Sequence, residues 1–120
     1  MINILEKSRW LSSILTFVCF ILIFYFSSLT FQGTGGKSAI ATIYHFTAFS
    51  YLTLFLLISL TQGKRNSYIL IGMFIAIIYG ITDELHQLLV PGRFFSIGDI
   101  LVDALGIFLT GISYSNYCRK

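Results

Sequence analysis

Residues 83–93 have the sequence DELHQLLVPGR, and the polar residues Ser96, Asp99 and Asp103 follow closely. This region holds four of the five acidic residues of the chain, the exception being Glu6, and one of the two histidines. Most of the remaining chain is apolar, since hydrophobic residues make up 56% of the sequence. Nearly all acidic side chains of this apolar chain thus lie within one short region, and we expect the functional residues of the protein there.

The composition indicates a membrane protein with a single domain. Charged residues form 11% of the 120-residue chain, against about 25% in soluble proteins, and the mean hydropathy is +0.83. The net charge of +3 comes from basic residues scattered along the chain, which argues against a nucleic-acid partner. The two cysteines, Cys19 and Cys118, have neither a disulfide spacing nor a metal-site spacing. We therefore treat residues 1–120 as one membrane domain.

Four apolar segments are each close to the roughly 20 residues that an α-helix needs to cross a bilayer. They extend over residues 10–28, 43–61, 67–89 and 97–117. Pro91 and Gly92 separate the third segment from the fourth, because proline and glycine interrupt helices. The sequence thus predicts an all-α, polytopic membrane protein, a bundle of four transmembrane helices in contact with membrane lipids.

The stretch between the first two segments, residues 32–38, is QGTGGKS, and its glycines predict a flexible loop. Its last three residues also end the signature of a phosphate-binding loop. That signature needs a preceding strand and a glycine five positions before Gly36, where this chain has Phe31. We therefore predict no nucleotide site in this loop.

The basic residues indicate which helix ends face the cytoplasm, because cytoplasmic loops are enriched in lysine and arginine. One side of the four-helix arrangement collects Lys7, Arg9, Lys64, Arg65, Arg119 and Lys120. The other side has Lys37 and Arg93. Both termini are therefore predicted to be cytoplasmic, with the glycine-rich loop and the turn that contains Arg93 on the extracytoplasmic side.

Polar residues on all four predicted helices lie at a similar depth in the membrane. At about 1.5 Å per residue from the cytoplasmic end, they lie about 22–27 Å along each helix, near the outer boundary of a hydrocarbon core of about 30 Å. These residues are Ser27, His45, Asp83 and Asp103. Lone carboxylates inside a membrane cost roughly 2.5–3.5 kcal/mol each at the bilayer centre and usually mark function. We therefore predict one shared polar site.

Several of these residues also have ordinary structural explanations. The segment 96–99, SIGD, resembles a capping box, in which Asp99 would stabilise the start of the fourth helix. Asp83 and Glu84 would then simply mark the hydrated end of the third helix. His45 would be a core histidine bonded to a neighbour. Asp103 lies one turn too deep for capping, so the structural explanation is weakest for that residue.

The motif DELHQ at 83–87, followed by VPGR at 90–93 and by Ser96, Asp99 and Gly106, resembles the signature of VanZ-like membrane proteins. The family's outline also matches Ser27-Ser28 at the end of the first helix and His45 in the second. The resemblance therefore covers most of the chain.

The chain departs from the family pattern at two places. Ala41 and Thr42 stand where the family often has an acidic-basic pair, and Asp103 stands where it often has asparagine. The first departure removes two potential ligands, and the second adds a negative charge. The polar site of this chain is therefore expected to differ in charge from that of its family.

The resemblance implies a multi-pass protein of a bacterial plasma membrane, with the polar motif on the extracytoplasmic side. The family's namesake is an accessory determinant of resistance to the glycopeptide teicoplanin. A role in the cell envelope and in resistance to teicoplanin and lipoglycopeptides is therefore an expectation for this chain, while the family leaves the biochemical mechanism open.

One hypothesis is a receptor for a lipid-linked cell-wall precursor or a lipoglycopeptide. Arg93 would contact an anionic group of the ligand. The ligand-binding residues would be Ser27, Ser28, His45, Gln87, Arg93, Asp99 and Asp103. A bundle of four short helices has little surface to enclose such a ligand, which favours a homodimer.

The alternative is a membrane-embedded enzyme that acts on a lipid or a cell-wall precursor. Glu84 or Asp83 would be the general base, and His86 or His45 would relay the proton. No cofactor motif such as HExxH is present, but a divalent metal held by acidic and histidine side chains stays open. The candidate ligands are Asp83, His86, Asp99 and Asp103. No serine lies in a nucleophile elbow and no cysteine lies at this depth, so covalent catalysis is not expected.

A proton or ion pathway is a third hypothesis. It is disfavoured because the cytoplasmic halves of the predicted helices lack the ionisable residues that would continue a relay. Between the first two hypotheses the residues favour binding, since no complete catalytic signature is present.

Overall fold

The computed structural model describes residues 1–29, 39–64 and 67–119 of the chain. These residues form the helices α1 (Ile2–Lys7), α2 (Arg9–Ser27), α3 (Ala39–Thr61), α4 (Tyr68–Gln87) and α5 (Ile97–Tyr117). The predicted glycine-rich loop at 32–38, which contains Lys37, and the basic residues Arg65 and Lys120 lie outside the described residues. Within the described ranges, all the regular secondary structure is helical.

Helices α2 to α5 are each long and apolar enough to cross a membrane, which confirms the four predicted spans. They contain 19–23 residues, or about 29–35 Å at 1.5 Å per residue, and so match a hydrocarbon core of about 30 Å. Their bounds differ slightly from the prediction. α3 begins at Ala39 instead of residue 43, and α4 ends at Gln87 instead of residue 89. After α4 the chain tightens into a turn, in which the Leu89 N–H donates to the His86 carbonyl at 2.9 Å and the Val90 N–H to the Gln87 carbonyl at 3.2 Å. Pro91 has no N–H with which to continue the α-helical bonding to Gln87.

Helix α1 is a feature that the sequence analysis did not predict. Isolated helices shorter than about 12 residues are marginal in water, so tertiary contacts must stabilise this one. Leu5 is buried in the hydrophobic core, and just beyond α1 the Arg9 Nε atom donates a hydrogen bond to the Ser59 carbonyl, 3.2 Å away. These contacts hold α1 against the end of α3.

Helix α3 lies at the centre of the bundle and contacts each of the other four helices. Its sequence is apolar around the whole circumference, as expected for a helix that other elements surround. Phe49, Leu52, Leu57 and Ile58 from α3 are fully buried, as is Ile107 from α5. The apolar side chains of α2, α4 and α5 that face away from α3 are exposed and form the surface that would contact lipid.

Helices α3 and α5 approach closely at Gly106. A Cβ atom at this position would lie 2.8 Å from the Phe46 carbonyl oxygen and 2.9 Å from the Ser50 Oγ atom. A side chain there would therefore collide with the backbone of α3. Glycine lets α5 pack directly on α3, and it thereby brings the first turns of α5 within reach of the polar residues of α3.

Tyr114 joins three segments at the end of the bundle where α1 lies. Its hydroxyl donates to the Glu6 Oε1 atom at 3.2 Å, accepts from the Gly63 N–H at 3.2 Å and lies 3.0 Å from the Thr61 hydroxyl. Nearby, the Tyr117 hydroxyl donates to the Asn3 side chain at 2.6 Å. These bonds connect α1, the end of α3 and the end of α5.

Candidate functional site

Five ionisable side chains meet at the opposite end of the bundle, where α4 ends and α5 begins. We call this group the carboxylate–histidine cluster: His45, Asp83, Glu84, Asp99 and Asp103. α3 supplies the histidine, α4 supplies Asp83 and Glu84, and α5 supplies Asp99 and Asp103. All but Asp99 are at most 5% exposed. The cluster is thus a polar interior within an otherwise apolar bundle.

The central contact of the cluster is a hydrogen bond between His45 and Asp103. The His45 Nδ1 atom lies 3.0 Å from the Asp103 Oδ1 atom, and both side chains are buried. An ionised carboxylate can only accept a hydrogen bond, so Nδ1 is the donor to Asp103, and in the neutral imidazole Nε2 is then the nitrogen with the lone pair. Asp103 therefore fixes both the orientation and the tautomer of the imidazole.

The free side of the imidazole faces two further carboxylates. The His45 Nε2 atom lies 4.0 Å from the Glu84 Oε1 atom and 3.9 Å from the Asp99 Oδ2 atom. Both distances are too long for direct hydrogen bonds. The buried imidazole therefore lies among three carboxylates. It contacts Asp103 directly, whereas Glu84 and Asp99 lie 3.9–4.0 Å from its Nε2 atom.

Glu84 has a second, structural role at the start of α5. Its Oε2 atom accepts a hydrogen bond from the Ser96 N–H at 3.0 Å, while the Ser96 hydroxyl accepts from the Asp99 N–H at 3.3 Å. The Ser96 half of the predicted capping box is therefore present. In a complete box the third helical residue, Asp99, would accept from the Ser96 N–H. Glu84 accepts that bond instead, which leaves the Asp99 carboxylate to face His45.

Gly80 on α4 and Ser27 on α2 lie beside two carboxylates of the cluster, Asp103 and Asp83. A Cβ atom on Gly80 would lie 3.3 Å from Phe49 Cε1 and 3.4 Å from the Asp103 Oδ2 atom, so alanine would fill the space beside that carboxylate and only a larger residue would press on it. The Ser27 side chain, at the end of α2, lies beside the Asp83 carboxyl group. Small residues on α4 and α2 thus surround the acidic groups and leave room next to them.

Several buried polar atoms around the cluster have no hydrogen-bond partner among the described residues. They are Ser27 Oγ, Tyr44 Oη, Glu84 Oε1, Gln87 Nε2 and Asp103 Oδ2. Each such atom costs roughly 1–3 kcal/mol relative to a satisfied one, so a group of them at one place calls for an explanation. Donors, acceptors and hydroxyl groups that do both are present together, as in a site that awaits a polar ligand.

His86 has different neighbours from the other predicted catalytic residues. Its Nε2 atom lies 2.9 Å from the Ser28 Oγ atom, and its ring stacks on Phe24 with a centroid distance of 4.6 Å. Histidine–carboxylate contacts of up to 4.0 Å in the described residues all involve His45. The structure thus places His86 beside Ser28 at the end of α2 and His45 among the carboxylates of the cluster.

The turn that carries Arg93 explains how that side chain reaches the cluster's edge. The Arg93 N–H donates to the Val90 carbonyl at 3.2 Å, and Gly92 has φ +80°. With Pro91 before that glycine, the geometry is a type II turn, which requires positive φ at its third residue. The Arg93 Nη1 atom donates to the Leu29 carbonyl at 3.3 Å, and its charge interacts with Asp83.

Two features of the site escaped the sequence analysis. Tyr44 was one of many aromatic residues near a helix end, and nothing in its spacing indicates that its hydroxyl is buried beside the cluster. The bond from Ser96 to Glu84 joins two different helices, so no local motif reveals it. That Asp83 and Glu84 share one site was indicated in the sequence by their adjacent positions alone. This indication was weak, because neighbouring positions on a helix face different directions.

Comparison with known protein families gives a match over nearly the whole chain. The family model described as VanZ/LLP1 matches residues 2–117. No curated protein and no solved structure matches the chain. The matched range contains the four spanning helices and all five members of the carboxylate–histidine cluster.

Proposed function

Because the chain belongs to the VanZ/LLP1 family, we propose that this VanZ-like membrane protein binds the polar part of a lipid-linked or lipidated molecule in its carboxylate–histidine cluster. Through this binding it contributes to resistance against glycopeptides such as teicoplanin and lipoglycopeptides. The observation that carries the proposal is the group of buried polar atoms without partners next to the cluster. A ligand that supplies the missing partners would remove their energetic cost.

The chemistry of these atoms favours a headgroup with hydroxyl, amide or ammonium groups. Glu84 Oε1 and Asp103 Oδ2 can only accept when ionised, Gln87 Nε2 can only donate, and the hydroxyls of Ser27 and Tyr44 can do both. Sugars, peptides and amines offer this mixture of donors and acceptors. A bare phosphate would be repelled by the carboxylates of the cluster, so an anionic group of the ligand would instead lie near Arg93.

The location of the cluster inside a bundle of apolar helices favours an amphipathic ligand. The outer surfaces of α2, α4 and α5 are apolar, so a lipid chain can lie against them while its headgroup enters between the helices. The proposed site opens on the extracytoplasmic side of a bacterial plasma membrane, as the distribution of basic residues predicts. Cell-wall precursors on lipid carriers and lipoglycopeptides are both accessible there.

The proposed orientation predicts that Cys118 is cytoplasmic and that Phe94, which is 81% exposed, faces outward. In a Cys19→Ser background, a membrane-impermeant maleimide should label a Phe94→Cys variant in intact cells but should label Cys118 only after lysis. Burial raises the pKa of the Cys118 thiol, so the lysed control needs an alkaline buffer to form enough thiolate. Labelling of Cys118 in intact cells would reverse the orientation.

The resistance role predicts that a sensitive bacterial host becomes less susceptible to teicoplanin when it produces the wild-type protein. The Glu84→Gln and Arg93→Ala variants should return susceptibility to that of cells without the protein, since each loses a charge at the proposed site. Glu6→Gln is the matched control, because Glu6 lies at the other end of the bundle. All variants are compared at equal membrane levels. Wild-type protein without any protective effect would contradict the role, as would full protection by both site variants.

Catalysis is the second candidate function, and the His45–Asp103 pair favours it. A buried imidazole that a carboxylate orients at 3.0 Å and that faces Glu84 on its other side is an arrangement suited to general acid–base chemistry. In this reading Glu84 or Asp83 acts on the substrate and His45 moves the proton. Envelope lipids of changed mass in cells with wild-type protein, absent in cells with the Glu84→Gln variant, would favour an enzyme over a receptor.

A further inference from the structure

Three buried side chains of the cluster converge on a common point. His45, Asp83 and Glu84 each offer one potential ligand atom, and these atoms lie within 4.8 Å of one another. Because Asp103 occupies the Nδ1 side of the imidazole, Nε2 is the histidine atom available to a ligand. In metal-binding histidines one ring nitrogen usually donates its N–H to a carboxylate while the lone pair of the other nitrogen binds the metal, and His45 has this arrangement.

Glu84 gives a second and independent indication of a bound cation. The residue is fully buried, its Oε2 atom is held by the Ser96 N–H, and its Oε1 atom has no partner among the described residues. Oε1 faces His45 Nε2 across 4.0 Å, which is too far for a hydrogen bond. Two ligands of a tetrahedral zinc ion lie roughly 3.4 Å apart at bond lengths of about 2.0–2.2 Å. The His45–Glu84 pair would therefore close by about half an ångström, and no pair in the group, whose atoms lie within 4.8 Å of one another, would need to close by more than about 1.4 Å.

The cluster also carries a large negative charge when its carboxylates are ionised. Four carboxylates lie around one imidazole, and three of them are almost completely buried. Even with a protonated histidine and the nearby Arg93, the ionised groups would carry an excess of negative charge. A divalent cation would compensate this charge at the centre of the group, where it acts on all four carboxylates.

We propose that His45 Nε2 and carboxylate oxygens of Asp83 and Glu84 bind one divalent transition-metal ion, with Zn²⁺ as the best match. An imidazole together with carboxylates suits zinc and its neighbours, whereas Mg²⁺ and Ca²⁺ prefer oxygen ligands alone. Asp99, whose Oδ2 atom lies 3.9 Å from Nε2, is positioned to supply a fourth ligand. Asp103 is a positioning residue, since it acts on the metal through the imidazole.

This site differs from the metal set that the sequence suggested, which contained His86 and Asp103 instead of His45 and Glu84. The two histidines therefore form a matched pair for an experiment. The metal site does not depend on the proposed lipid ligand, because binding of the ion alone can be measured without any lipid-linked molecule. Failure of the resistance assay would leave this inference intact, and failure of metal binding would leave the receptor proposal intact.

The test uses the full chain in detergent, with any affinity tag removed and with Cys19 and Cys118 changed to serine to exclude binding by thiols. After chelator treatment and removal of the chelator, the protein is titrated with Zn²⁺ and analysed for bound metal. We expect one ion per chain. Asp103→Asn should weaken the affinity about 10–100-fold, and His45→Gln and Glu84→Gln should weaken it at least as much. His86→Gln should bind as the parent does.

Two results would overturn the inference: no stoichiometric zinc in the parent protein, or loss of zinc in His86→Gln together with retention in His45→Gln. Gel filtration and circular dichroism identify variants that fail to fold. X-ray absorption on the zinc-loaded parent tests the site without any substitution in it. It should show one imidazole with oxygen ligands at about 2.0–2.2 Å. Coordination by two imidazoles or by oxygen alone would exclude the proposed ligand set.

Discussion

Replacing His45 with leucine should lower the free energy of unfolding by about 3 kcal/mol, because it leaves the buried Asp103 carboxylate without its hydrogen-bond donor, and an unsatisfied buried acceptor costs about 1–3 kcal/mol or more when it is charged. The imidazole hydrogen-bonds to Asp103 at 3.0 Å within the bundle. The same change at His86 should cost only about 1 kcal/mol, the usual contribution of one hydrogen bond, here to Ser28. Leucine has a similar size to histidine, so the comparison isolates the polar contacts.

Equilibrium unfolding in mixed micelles, followed by circular dichroism, would measure both changes. A His45→Leu/Asp103→Leu double variant provides the internal check, since replacing both buried partners with apolar groups is often close to neutral. We expect the double variant to recover much of the stability that His45→Leu loses. Equal losses for the two histidines, or additive losses in the double variant, would show that the His45–Asp103 pair is not the dominant contact.

Gly106→Ala should be the most damaging of the small-residue changes, with a loss of about 1–3 kcal/mol from overpacking. The added Cβ atom would lie 2.8 Å from the Phe46 carbonyl oxygen, and the backbone of α3 can move only with the whole helix. Gly72→Ala is the matched control. Its Cβ atom would meet a terminal methyl carbon of Leu57 at 2.6 Å, and that flexible side chain can rotate away.

The contrast between the two glycines is measurable by the same unfolding experiment. Alanine gains about 1 kcal/mol over glycine in helix propensity, so Gly72→Ala should be close to neutral. Gly106→Ala should also separate α3 from α5 and weaken any zinc binding that needs His45 and Asp103 in contact. A Gly106→Ala variant as stable as Gly72→Ala would mean that the two helices can separate without cost.

The parts of the fold that sequence reasoning predicted are those that follow from local patterns. Hydropathy predicted the four spanning helices because burial in lipid requires about 20 consecutive apolar residues. Pro91 and Gly92 predicted the turn after α4, since its third residue needs a positive φ. Ser96 predicted the start of α5 because its hydroxyl can cap a backbone N–H. Each signal lies within a few residues of the feature that it predicts.

The site was less predictable because it depends on which helix faces which. Counting residues placed His45, Asp83 and Asp103 at one depth, and the structure does bring them together. Depth does not specify rotation about the helix axis, however, so it could not show that His45 faces the carboxylates while His86 faces Ser28. Helix α1 was missed for the same reason, since its stability comes from contacts with distant segments.

The hydrogen bonds of Tyr114 and Tyr117 have a consequence for the order in which the protein is assembled. Glu6 and Tyr114 are 108 residues apart, and Asn3 and Tyr117 are 114 residues apart. At roughly 5–20 residues per second, a ribosome needs roughly 5–20 s to synthesise the intervening chain. During that interval Glu6 and Asn3 lack their hydrogen-bond partners, Tyr114 and Tyr117. Their arrival joins the first helix made to the last, so that in a nascent chain interrupted before α5 the helix α1 would rest on α2 and α3 alone, with the polar side chains of Asn3 and Glu6 unpaired with these tyrosines.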